Sequence, residues 1–148
     1  MTTGTWTPFF VYETYPERMV VVDGASVGGW QWEDYWVRAW ANIKGTITYP
    51  DPQSLPKNHL MVGGLPFAIA PGPVGPYTVA GCINHGNEII YPAGSTFLLA
   101  TPYPNNTTTV AITSRGSQFK KMISVSNIPD GSYQEFRFEV GYKTTEAP

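Results

Sequence analysis

The clearest pattern of apolar and polar positions is the last one in the chain. In YQEFRFEVGYK, residues 133–143, Phe136, Phe138, Val140 and Tyr142 alternate with Glu135, Arg137, Glu139 and Lys143. Period two puts the first set on one face of a strand and the second on the other, as in a sheet with one dry and one wet side. Shorter β-branched and aromatic runs recur upstream: TPFFVYETY, RMVVV, HLMVG, YTVAGCI, EIIY, STFLLAT, TTTVAIT and KMISVSN. WQWEDYWVRAWANIKGTITY reads as one long strand. Turn-rich breaks at PDPQSLP, APGPVGP, YPAGS, TPYPNN and IPDGS divide these runs. Fifteen glycines and fourteen prolines leave 30–44 and 117–128 as the longest stretches free of both, so helix has little room. The pattern predicts a single all-β domain over 1–148, an antiparallel β-sandwich or barrel. Residues 144–148, TTEAP, are expected to fray.

Four of the five tryptophans fall between residues 30 and 40. Trp32, Trp36 and Trp40 have helical spacing, but with Trp30 they are also all even and so share one face of a strand. Poor helix propensity and the continuation into IKGTITY decide for the strand. Its face runs Trp30, Trp32, Asp34, Trp36, Arg38, Trp40. The favoured reading is core wall plus subunit interface, where aromatics are enriched. The other is an aromatic platform that stacks a sugar or another ligand, with Asp34 and Arg38 supplying hydrogen bonds. Trp30 and Trp32, next to Gly28 and Gly29, are the expected exposed pair and, with Asp34, the candidate ligand contacts. Trp36 and Trp40, deeper in the strand, are expected to be buried.

Composition narrows the functions. Charged residues are 14% of the chain, against roughly 25% in soluble domains, so part of the surface is expected to be covered by copies of itself. The net charge of −2, with no basic cluster beyond Lys120-Lys121, gives no electrostatic case for nucleic acid. No apolar run approaches the roughly eighteen residues of a membrane span, and MTTGTWTPFF is not a secretory signal. Cys82 is alone, which excludes an internal disulfide and a cysteine zinc cluster; it reads as a small buried hydrophobe. Among Glu33, Asp34, Asp51, Glu88, Asp130, Glu135 and Glu139, nothing selects a catalytic pair, and His59 and His85 share no metal-ligand spacing. With no nucleophile elbow, phosphate loop or dinucleotide fingerprint, the sequence predicts no enzyme, no cofactor and no metal.

Several motifs occur in a telling order: GTWTP (Gly4 to Pro8), Tyr35 leading to Gly45-Thr46-Ile47, GLPF (Gly64 to Phe67), an apolar strand ended by YPAGST (Tyr91 to Thr96), STFLLATPYPNNTTTVAI, and the closing FRFEVGYKT. Over residues 4–144 the chain resembles a β-sandwich domain found at the C-termini of many bacteriophage tail fibres and other virion appendages. One departure is local: YWVRAWANIKG puts its arginine out of register with the family's Y-x-R-I-G-like element and has bulky residues in place of the glycine. The resemblance implies a jelly-roll-like sandwich that assembles as a homotrimer on the virion surface.

If these 148 residues are a whole gene product, a tail-attachment segment and shaft are not expected, because GTWTP begins at Gly4; a domain cut from a longer fibre is a third possibility. The first expectation is therefore a trimeric capsid decoration or cement protein, made in the host cytoplasm and located on the virion. Its partners would be itself and the major capsid protein, and the N-terminal arm Met1, Thr2, Thr3, Gly4 and Thr5 would reach a neighbour. The alternative is the receptor-binding tip of a tail fibre, with tail proteins and a host surface glycan or protein as partners.

Overall fold

The computed structural model describes residues 1–13, 21–22, 26–48, 59–71, 80–85, 89, 95–103, 107–116, 120–123 and 127–148. Its strands are β1 (Thr2–Trp6), β2 (Phe9–Tyr12), β3 (Val21–Val22), β4 (Val27–Glu33), β5 (Trp36–Ile47), β6 (Leu60–Gly63), β7 (Ala80–Asn84), β8 (Ser95–Pro102), β9 (Val110–Gly116), β10 (Lys120–Met122) and β11 (Ser132–Lys143). No α-helix occurs among the described residues. The strands pair antiparallel in the order β1-β4-β5-β11-β7-β8-β9-β6-β2, with β3 beside β5 and β10 beside β9. This continuous sheet curls into a sandwich-like, all-β domain, as the alternating pattern predicted.

One layer is β1-β4-β5-β11 and the other is β8-β9-β6-β2; β7 joins them by pairing with both β11 and β8. The seam is short. Asn84 and Ile83 face Phe136 and Arg137, the His85 N–H donates to the Glu135 carbonyl at 2.8 Å, and Asn84 Nδ2 donates to Gln134 Oε1 at 2.8 Å. That last bond satisfies a fully buried amide. In β5 and β11, alternate residues point inward, and Val37, Ala39, Ile43, Phe136 and Tyr142 are all fully buried. They meet Phe10, Leu60, Val62, Val110 and Ile112 from the opposite layer, with Phe10 edge-on to Phe136 at 5.6 Å.

Three expectations need correction. The stretch 30–49 is not one strand: β4 and β5 are joined by a tight turn at Asp34-Tyr35, where both residues have positive φ, 51° and 60°. Left-handed backbone at both turn positions matches the right-handed twist of the strands on either side. Residues 1–5 are not a free arm, because Thr2–Trp6 is the edge strand of the first layer and pairs with β4 from Thr2↔Trp32 to Trp6↔Gly28. Nor is all of 144–148 frayed. Thr144 is buried and its N–H donates to the Tyr35 carbonyl, while Glu146 accepts from Ala68 N–H at 3.0 Å through its carboxylate. Thr2, Trp32, Val37 and Tyr142 consequently lie in one row across four strands.

Several candidate strands match closely: HLMVG is β6, STFLLAT is β8 and YQEFRFEVGYK is β11. Most of EIIY, and the PDPQSLP and YPAGS breaks apart from the start of β8, lie outside the described residues.

Candidate functional site

A two-residue turn sets which tryptophans face where. Directly opposite residues of an antiparallel pair share a face, and here even positions of β4 oppose odd positions of β5. Trp30 and Trp32 therefore share the inward face with Ala39 and Val37, whereas Trp36, Arg38 and Trp40 share the outward face with Glu33, Gln31 and Gly29. The expected exposure fails for Trp30, Trp32 and Trp40, while Trp36 is half-buried. Trp30 and Trp32 are half-buried against the core, and Trp40 is 47% exposed.

Both inward indoles have their N–H groups engaged. Trp30 Nε1 donates to the Thr5 carbonyl at 3.2 Å, and its ring meets Phe67 edge-on at 4.9 Å. Trp32 Nε1 donates to the Glu146 carbonyl at 3.0 Å, and its ring meets Tyr35 at 5.2 Å. Asp34 sits in the turn, exposed, where its carbonyl accepts from Lys143 Nζ at 3.4 Å. Of the three candidate ligand residues, two are thus committed to packing and the third is a turn residue. The five candidate capsid-contact residues run along the edge of the first layer; Met1, 76% exposed, reaches the outward face beside Gln31 and Glu33.

That outward face holds the exposed aromatic that the even-position pattern hid. A Cβ on Gly29 would stand 2.5 Å from Trp40 Cε2 and 2.6 Å from Nε1, nearly equidistant from neighbouring ring atoms. The indole therefore packs its Cζ2–Cε2–Nε1 edge on the glycine while much of the side chain stays exposed. Beside it is a hollow of about 70 Å³ lined by Gln31, Arg38, Trp40 and Glu139. Arg38 bonds Glu139 Oε1 through Nε at 3.0 Å and Nη2 at 2.5 Å. A second hollow, of about 100 Å³, shares Gln31 and Arg38 and continues to Glu33, Met1 and Trp36. Trp36 is half-buried, with Lys143 Nζ 5.7 Å from its ring centroid.

Elsewhere the chemistry is sparse. A cleft of about 350 Å³ is lined mainly by Val11, Met61, Tyr103 and Thr107–Thr109, and Glu13 at its end holds His59 Nδ1 at 2.6 Å. Sequence spacing gave no sign of that pair, because β2–β6 pairing brings together residues far apart in the chain. Among the described residues no group of three or more His, Cys, Asp or Glu could hold a metal ion, and no helix is long and apolar enough to cross a membrane. Cys82 is buried, and burial pushes its thiol up to about 12.

The GTWTP and GLPF motifs are structural in role. Gly4 of GTWTP lies under the Trp30 indole, whose edge contact is Phe67 of GLPF. Gly64 has φ +88°, and the Phe67 carbonyl accepts from the buried Tyr142 hydroxyl at 3.0 Å. The start, middle and closing strand of the chain thus interlock at one corner of the sandwich. No protein-family model, curated protein or solved structure matches the chain.

Proposed function

We propose that the protein is a bacteriophage virion surface protein that acts by binding rather than catalysis, and that the outward face of β4, β5 and β11 contacts a host receptor. The observation that carries this reading is Trp40, 47% exposed and packed on Gly29 beside Gln31, Arg38 and Glu139. An exposed tryptophan with hydrogen-bonding groups around it suits a recognition surface. The ordered GTWTP and GLPF motifs support the virion assignment, since both take part in the sandwich corner that they would define in a shared fold.

Homotrimer formation belongs to the same proposal. Cys82 pairs with Leu98, so Ile83 and Phe97 occupy the next positions on β7 and β8, and they are 58% and 46% exposed. Two exposed apolar side chains on the adjacent strands β7 and β8 give a second and third copy a place to bury surface.

A capsid-decorating role is the second reading, and the position of β1 favours it. Thr2–Trp6 is the terminal strand of the sheet order, open on the side away from β4 among the described residues. Such an edge can accept a strand from a neighbouring capsid subunit. Immunogold labelling of intact particles, with copy number from quantified gel bands, separates the two. A few copies at the tail are expected for the receptor reading, and dense label over the head would replace it with decoration. A particle without label would overturn both.

A further inference from the structure

We infer that the outward face of β4, β5 and β11 takes a linear, neutral oligosaccharide, with Trp40 as its stacking floor and Gln31, Arg38 and Glu139 as its hydrogen-bonding groups. This names a ligand class for the receptor-binding face and rests on that reading for its biological role.

Ring placement is the first argument. Gly29 has no side chain to hold the Trp40 ring away, so the exposed indole rests on the backbone before any ligand arrives. A floor fixed in advance loses little freedom on binding. The C–H groups on one side of a pyranose ring are apolar and weakly positive, and they complement the negative face of an indole.

Shape is the second. The hollows beside Trp40 and Trp36, about 70 and 100 Å³, are too shallow to enclose a sugar, so a ligand must lie along the surface. They share Gln31 and Arg38 and form one track along β5. Trp40 and Trp36 are four residues apart on that strand, a span of about 13 Å, which suits an oligosaccharide better than a single sugar.

Charge is the third. Arg38 and Glu139 neutralise each other at 2.5 Å in the middle of the track. A paired guanidinium and carboxylate offer donors and acceptors in fixed positions with little net field. That combination suits hydroxyl groups, and it gives an anionic polymer no excess positive charge to follow.

The test is an oligosaccharide array probed with the purified chain, followed by titration of tryptophan fluorescence. Linear neutral oligosaccharides should be retained and the corresponding monosaccharides not, with little change in affinity between low and high salt. Trp40→Ala should weaken binding by about tenfold or more. Gly29→Ala keeps the indole but forces it off the sheet, and should also weaken binding. Gln31→Ala, at an exposed polar position, should do so while leaving the melting temperature unchanged. Val27→Ala, elsewhere on the same face, should bind as the parent does.

Retention of no neutral oligosaccharide, binding indifferent to Trp40→Ala, salt-sensitive capture of an anionic polysaccharide, or a protein partner seated on Trp40 would each overturn the inference. Virion labelling keeps this test separate from the receptor reading. Label at the tail without oligosaccharide binding overturns the ligand class alone. Oligosaccharide binding with label over the head upholds the ligand class and overturns the receptor reading.

Discussion

At the scale of single residues, the recurring device is a glycine directly across the ladder from an aromatic ring: Gly4 from Trp30, Gly28 from Trp6, Gly29 from Trp40 and Gly63 from Phe9. A strand glycine gives up side-chain packing, and the ring of its partner covers the backbone left bare. Trp6 is the most constrained of these rings. It is buried, and its Nε1 donates to the carbonyls of Trp40 at 2.9 Å and Gly29 at 3.2 Å. A Cβ on Gly28 would stand 2.6 Å from Trp6 Cε2, with no room for the ring to retreat. Gly28→Ala should therefore cost about 1–3 kcal/mol and lower the melting temperature by roughly 3–9 °C in a thermal scan. Gly81→Ala is the matched comparison. No described atom lies within 4 Å of its Cβ position, so the change should be neutral or gain up to about 1 kcal/mol from the lower entropy of the unfolded chain.

At the scale of elements, the C-terminal segment acts as a clasp on the β4–β5 hairpin. The Glu146 carbonyl takes the Trp32 indole N–H, its carboxylate takes the Ala68 N–H, and its own N–H donates to Thr144 Oγ1 at 3.1 Å. Deleting residues 145–148 should destabilise the domain by about 1–3 kcal/mol in urea unfolding. It should also shift the fluorescence of Trp32 to the red, as its N–H is released to water.

The hairpin itself shows where the sequence was legible and where it was not. β11 could be read from period two alone, because its apolar and charged residues alternate without exception from Glu135 to Val140. The Asp34-Tyr35 turn could not, since neither residue is glycine or asparagine and both are held in left-handed backbone by the strands around them. Missing that turn reversed the facing of every tryptophan beyond it, as a one-residue slip does in any sheet. β1 was missed for a different reason. Its TTGTW has no apolar alternation, and its place in the sheet depends on Trp30 and Trp6 covering glycines across the ladder.

At the scale of the whole molecule, two buried acidic groups tie stability to alkaline pH. Burial raises the Cys82 thiol from 9.0 to about 12, and burial also raises the Tyr142 hydroxyl. Between those thiol values the folded chain keeps a proton that the unfolded chain releases. The stability from Cys82 is therefore whole below about pH 9 and declines as pH rises toward 12, at about 1.4 kcal/mol per pH unit. Urea midpoints measured from pH 7 to pH 11 should fall above pH 9, and Cys82→Ala should flatten the first part of that fall. A thiol reagent at neutral pH should label Cys82 only when the sandwich opens.

The row Thr2, Trp32, Val37, Tyr142 crosses three strand spacings, which at about 4.8 Å each puts Thr2 and Tyr142 roughly 14 Å apart along one end of one layer. A short glycine-rich bridge spans that distance without disturbing the sheet, so the backbone can be closed head to tail into a ring. The freedom removed by such a closure belongs to the unfolded chain, and the cyclic molecule gains its resistance to unfolding from a loop the native fold has already brought together.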